Sequence, residues 1–288
     1  MKRALTERTG PPSSIHSGNE RREPSQKDIK DSKDGKDTKK KVEEIYSEYD
    51  GFAWFYNRHW GEEFSRPVLE IFNFVLFPHL SAGARILDLC CGTGQLAAGL
   101  IAQGYRVTGI DGSQAMLDLA RLNAPEALLV RADARTFTLQ DTFDAVVSTF
   151  DSLNHVLKLE ELTEVFRRVH AVLDVDGIFL FDLNMEEEFE TAGRESGFDI
   201  VEEDHACVVR SSYEPRAKLK RYEVTMFNLD GEVWRRNDLT LLQRYYDSSD
   251  VVAALTEAGF NRISIHNAHR EFGLALSDGR AFFLARRP

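Results

Sequence analysis

Hydrophobic positions fall into two textures along the chain. Between Ala84 and Asn184, short apolar runs (ARILDLC, RVTGID, ALLVRAD, FDAVVSTF and GIFLFDLN) alternate with segments of helical period (QLAAGLIAQG, SQAMLDLARLNA and LEELTEVFRRVHAVL). Apolar runs of this kind suit strands buried on both faces, so the alternation predicts a parallel sheet covered by helices. After Asn184 the period changes. DHACVVRSSYEP, AKLKRYEVTMFN and EVWRRNDLTLLQRYY alternate polar and apolar residues and are punctuated by Glu214-Pro215 and Asp230-Gly231, which predicts antiparallel strands. SSDVVAALTEAGF then returns to the helical period and stops at Gly259, and NRISIHNA and AFFLARR read as a closing antiparallel pair.

These elements predict an α/β fold: a Rossmann-like seven-stranded sheet with helices on both faces and an inserted antiparallel β cap. Residues 1–41 are Ser, Lys, Asp and Gly with few large apolar side chains, and are expected to be a disordered basic leader. Residues 42–184 are expected to hold an N-terminal lid and the cofactor-binding part, 185–247 the inserted cap on the substrate side, and 248–288 the remainder of the sheet. Within the lid, SRPVLEIFNFVLFPHL predicts an amphipathic helix opened by Ser65 and closed near Pro78.

Composition narrows the setting. A chain of 288 residues with 42% apolar content can bury a large core without covalent staples. The three cysteines, Cys90, Cys91 and Cys207, are too few for a disulfide framework and point to a cytoplasmic location, and Cys90 and Cys91 read as small buried residues rather than nucleophiles. No apolar run reaches the roughly 18 residues of a membrane span, and Thr6 to Thr9 follow Lys2 and Arg3 where a secretory signal would be apolar. The net charge of −11 combines about +5 in residues 1–41 with about −16 elsewhere. An acidic body repels phosphate backbones, which argues against nucleic acid as a substrate.

The candidate chemistry begins at ILDLCCGTGQLA. Gly92 and Gly94 permit a tight turn and close approach of a ligand to the start of the next helix. With Ala97 they also satisfy G-x-G-x-x-G/A, so a nicotinamide oxidoreductase is an alternative at this point. Asp88, at the strand end just before the loop, weighs against it: a carboxylate there repels a pyrophosphate and attracts a cationic ligand such as S-adenosylmethionine, with its sulfonium and ammonium groups. Asp111 ends the second strand about 20 residues on, where an acidic side chain meets ribose hydroxyls.

LDLCCGTGQLA, VTGIDGSQAML, RADARTF and FDAVVSTFDSLNHV together resemble the successive motifs of class I S-adenosylmethionine-dependent methyltransferases, over about residues 46–184. The resemblance implies that Gly92 and Gly94 line the methionine moiety, Asp111 takes the ribose, Asp133 with Ala134 meets the adenine, and Phe150 edges the active site. EYDGFAWFYNRHW resembles the lid of small-molecule methyltransferases, which implies that Tyr49 and Tyr56 close over the cofactor. DSLNHV followed by a β insertion is similar to sugar N-methyltransferases and to glycine or sarcosine methyltransferases.

Methyl transfer from a sulfonium needs alignment more than acid–base help, so an amine acceptor need only arrive neutral. A hydroxyl acceptor gains from a base, and His155 is the candidate. The cap aromatics Tyr213, Tyr222, Trp234, Tyr245 and Tyr246 are candidate walls for a small-molecule acceptor, and no metal site is expected. A cofactor-binding protein without turnover, engaging a protein partner, is the other alternative.

Overall fold

The computed structural model describes residues 47–191, 195–273 and 279–288; the basic leader predicted for residues 1–41 lies outside them. Strands β1 (Arg85–Leu89), β2 (Arg106–Asp111), β3 (Leu128–Arg131), β4 (Phe143–Ser148) and β5 (Leu173–Asn184) follow the predicted alternation with helices. After β6 (Glu195–Val201), β7 (His205–Glu214), β8 (Leu219–Asp230) and β9 (Val233–Arg244), the chain closes through β10 (Asn261–Asn267) and β11 (Arg280–Arg286). The large sheet has the order β10-β11-β5-β4-β1-β2-β3, and β6-β7-β8-β9 form a separate antiparallel sheet. The β5-β4-β1-β2-β3 pairings are parallel, whereas β11 runs antiparallel to both β5 and β10. The order reverses between β1 and β4, so the C-terminal ends of these strands open the crevice where ligands of such sheets bind.

Both faces of the large sheet are covered. One face buries Leu87, Val146, Phe179, Phe181 and Phe283 with the helix Leu159–Val172. The other buries Ile86, Val147, Leu180 and Phe282 against the helices Gly61–Val75 and Gln95–Ala102. Phe181 stacks on Phe179 at 4.6 Å and on its cross-strand partner Phe283 at 5.2 Å. A third cluster joins Phe55 of the helix Ala53–His59 to Cys207, Val209, Val224 and Met226 on the inner face of the four-stranded sheet.

Two predicted boundaries move. The lid helix expected to open at Ser65 begins at Gly61, and Ser65 lies inside it, its hydroxyl donating to the Glu62 carbonyl at 3.1 Å. The helix ends at Val75, before Pro78, and carries Pro67 within. Glu62 and Glu63 favour its first turn, so acidic residues rather than a hydroxyl cap mark the start. Strand β6 and the short helix Glu186–Thr191 were not predicted: ESGFDIV is a short edge strand that, among the described residues, pairs with β7. Among the described residues no helix is long and apolar enough to cross a membrane, and no three His, Cys, Asp or Glu side chains are grouped to hold a metal ion.

Because Phe181 is fully buried between two rings, Phe181→Ala is expected to cost about 3–5 kcal/mol. Urea denaturation reads this as a lowered midpoint at unchanged slope.

Candidate functional site

The loop after β1 is built by left-handed backbone and one half-buried carboxylate. Cys90, Gly92 and Gly94 have φ of 62°, 53° and 85°. A Cβ on Gly94 would stand 3.0 Å from the backbone of Ala120, so glycine lets the loop meet the helix Gln114–Asn123. Asp111, at the end of β2, holds the loop from the other side. Its Oδ2 accepts from the Gly92 N–H and its Oδ1 from the Ser113 N–H, each at 2.9 Å. Burial raises its pKa, and these backbone donors oppose the rise. Ser113 caps the helix, accepting from the Met116 N–H at 3.2 Å.

Asp88 differs. It is 2% exposed and its Oδ2 has no hydrogen-bond partner among the described residues. Burial, with Asp111 nearby, pushes its carboxyl up to about 7. A buried carboxylate oxygen without a donor suits a cationic hydrogen-bond donor. Burial and Asp111 push the Cys90 thiol of this loop up, away from the thiolate form that a nucleophile needs.

Of the residues further along, Asp133 follows β3 and is clamped by its neighbour: Arg135 donates to it from its backbone N at 2.8 Å and from Nη2 at 2.7 Å, and reaches on to Glu161 at 3.1 Å. Ala134 is half-buried against the core. Phe150 packs on Phe64 with ring centres 5.3 Å apart. Phe150 and Asp151, at φ of 63° and 49°, are consecutive non-glycine residues in the left-handed region, a conformation that costs about 1–3 kcal/mol per residue. Surroundings that over-determine such a loop are expected, and they are present.

Arg280 lies between Asp151 and Asp182, donating to Asp151 at 2.7 Å and in short contact with Asp182, which is fully buried. Burial alone would raise the Asp151 carboxyl, but Arg280 and Gln243 hold it below the usual carboxylate range. Gln243 donates its amide to Asp151, lies 3.1 Å from His155 Nε2, and accepts from the Tyr222 hydroxyl at 3.2 Å. His155 Nδ1 is 2.8 Å from the Leu242 carbonyl and must carry the proton there, leaving Nε2 as an acceptor. Tyr49 donates its hydroxyl to that nitrogen at 2.8 Å. Burial lowers the His155 pKa despite Asp151, so the ring is neutral at pH 7.

The lid brings the two halves of the site together. Asp50 accepts from the Ser113 hydroxyl at 2.5 Å, and Asn57 accepts from Gln95 and Asn123, each at 2.7 Å. Tyr56 stands over Gly92, its Cε1 3.6 Å from where a Cβ would be. Burial, then Asp151 and Asp111, raise both Tyr49 and Tyr56, so the two hydroxyls remain protonated and face the carboxylates of both halves.

Sequence reasoning missed Asp151, Asp182, Arg280 and Gln243. Asp182 carried a signal, as the one charge in the apolar run GIFLFDL. Of the cap aromatics, Tyr222 reaches the site, Tyr245 and Tyr246 are buried with their hydroxyls on Asp247 and the Val156 carbonyl, and Trp234 is 48% exposed near the β8–β9 turn. A groove of about 630 Å³ lined by Arg210, Glu223, Arg236 and Asp238 opens among polar side chains of the four-stranded sheet and includes none of the candidate residues.

The methyltransferase domain family matches residues 86–177. The chain is 30% identical over 243 residues to "Putative methyltransferase YqeM" of Bacillus subtilis (strain 168), covering 83% of this chain and 97% of that one. Among solved structures, an S-adenosylmethionine-dependent methyltransferase from Clostridium acetobutylicum ATCC 824 superposes with a TM-score of 0.69 at 21% identity, over 83% of this chain and 98% of that chain. CalS10, an amino pentose methyltransferase from Micromonospora echinaspora solved with S-adenosylmethionine bound, gives 0.64 at 26% identity, over 85% and 98%. The chain belongs to the class I S-adenosylmethionine-dependent methyltransferases.

Proposed function

We infer that this enzyme methylates a nitrogen or oxygen of a small molecule held between the strand ends, the lid and the four-stranded sheet. The observation that carries the reading is the enclosed hydrogen-bonded group of Tyr49, His155, Gln243 and Asp151, to which all three parts contribute. The similarity to CalS10, named for an amino pentose, supports a small acceptor. The acidic body supports it as well, since it disfavours a nucleic acid.

The residues present fit the cofactor. Asp88, a buried carboxylate whose Oδ2 lacks a donor, suits its ammonium group. Gly92 and Gly94 give a side-chain-free approach for the methionine portion, and Asp111 keeps lone-pair capacity beyond its backbone donors for ribose hydroxyls. Asp133, Ala134 and Phe150 would border the adenine and reacting ends, with Tyr49 and Tyr56 above. When bound, the cofactor supplies a methyl group on an already activated sulfonium leaving group.

The chain's own residues then position the acceptor and exclude water. A neutral amine needs nothing more. For a hydroxyl acceptor, the proton passes to the Tyr49 Oη as the Tyr49 proton moves to His155 Nε2. The test is labelled S-adenosylmethionine with a panel of amino sugars, phenols and amino acids, read by mass spectrometry. Label appearing in protein or nucleic acid and in no small molecule would overturn the reading.

Four outcomes are expected. Since an ammonium group selects ionised Asp88, cofactor affinity should rise from pH 6 towards 7 with release of a proton, seen by calorimetry in buffers of different ionisation enthalpy and absent in Asp88→Asn. By the same sign, the empty folded state holds this proton more tightly than the unfolded chain. Stability from this group therefore falls as pH rises from 3.8 to about 7. Asp111→Ala should weaken cofactor binding by about 1–3 kcal/mol; unchanged affinity in a folded variant excludes the ribose role. With a hydroxyl acceptor, His155→Ala should lower kcat by about 10²-fold or more and remove the acid limb of the pH profile below 6.5; full turnover at every pH excludes the base.

A further inference from the structure

The inner face of the four-stranded sheet carries a lysine. Strand register sets Tyr213, Lys220 and Gln243 opposite one another in one row across β7, β8 and β9, with Ser211, Tyr222 and Leu241 in the next. Gln243 fixes where the row points, because its amide reaches Asp151 and His155. Lys220 therefore stands one strand, about 4.8 Å, from a residue that touches the candidate base.

Lys220 is 4% exposed. Among the described residues it makes no hydrogen bond or ion pair; its Nζ rests 5.7 Å from the Phe189 ring centre and 5.2 Å from that of Tyr222. Glu188 and Asp151 act on it only from a distance. Asp151 is in no position to claim it, because Oδ1 is held by Arg280 and Oδ2 by Gln243. Burial accordingly pulls the lysine pKa below its ordinary value. Buried lysines are paired as a rule, and here two aromatic faces stand where a counter-ion would be.

We propose that Lys220 is the anion-binding point of the acceptor pocket: the acceptor carries a carboxylate or phosphate that pairs with Nζ while its nucleophilic atom lies at Tyr49 and His155. This rests on the reading of the hydrogen-bonded group of Tyr49, His155, Gln243 and Asp151 as the acceptor site. Phe189 and Tyr222 flank the ammonium, and they would flank a planar or tetrahedral oxyanion arriving at it. Lys220 thus selects the acceptor by charge, and Tyr49 and His155 select the atom that is methylated.

The experiment titrates benzoate, benzamide and inorganic phosphate into the protein saturated with S-adenosylhomocysteine, whose own binding is measured first. At least one oxyanion is expected to bind, with benzamide about tenfold or more weaker than benzoate if the carboxylate is the one bound. Lys220→Met should abolish oxyanion binding, Lys220→Arg should restore part of it, and the S-adenosylhomocysteine affinity of both variants should match the parent, which shows that they fold. Benzoate binding marks a carboxylate acceptor, and phosphate binding a phosphorylated one. Equal binding of benzoate and benzamide, undiminished oxyanion binding in Lys220→Met, or binding of neither oxyanion overturns the proposal. Failure of the parent to bind S-adenosylhomocysteine overturns the cofactor reading first, and the proposal with it.

Discussion

Arg280 between Asp151 and Asp182 is the contact on which the geometry of the site depends. With Asp182 fully buried and Asp151 and Arg280 largely so, these charges are tolerable only if each satisfies the others. The antiparallel pairing of β11 with β5 brings Arg280 alongside the end of the apolar strand that carries Asp182. Asp151 in turn sits on strained backbone, and the guanidinium holds it there. From Asp151 the order passes to Gln243 on the four-stranded sheet, then to His155 and the lid tyrosine. Asn154 reinforces the joint from below, donating to the carbonyls of Asn184 and Arg244 at 3.1 and 2.8 Å and accepting from the Asn184 N–H at 2.9 Å.

Around this centre the lid behaves as a splint between two bodies. Asp50 and Asn57 fasten it to the helices after β1 and β2, while Phe55 fills the inner face of the smaller sheet. His59 and the buried His205 meet at 2.8 Å on its far side, with Asp204 on the other nitrogen of His205 at 2.6 Å. Apolar burial and polar matching thus act on opposite faces of one short helix.

The parts legible in the sequence were those with a local cause. Apolar runs and glycine turns marked the seven strands of the large sheet, and alternation marked β7, β8 and β9. The spacing from Gly92 to Asp111 brought two residues together that do touch. His155 and Tyr49, named for different reasons, proved to be hydrogen-bonded. What stayed hidden depended on long-range pairing. Arg280 looks like a surface residue beside a turn until β11 is set against β5, and Lys220 and Gln243 look like the polar half of alternating strands until the face is assigned. Ser65 misled because a hydroxyl before an apolar run resembles a cap even when the helix has already begun four residues earlier.

The docked lid has a thermodynamic corollary. Tyr56 stands over the glycine loop and Tyr49 over the polar cluster, on neighbouring helices fastened to the same core. A ligand that orders this segment from one side spares a ligand on the other side that entropic cost. On the proposed reading, with the cofactor at the glycine loop and the acceptor at the polar cluster, linkage is reciprocal: whatever factor cofactor loading adds to acceptor affinity, the acceptor must return to the cofactor.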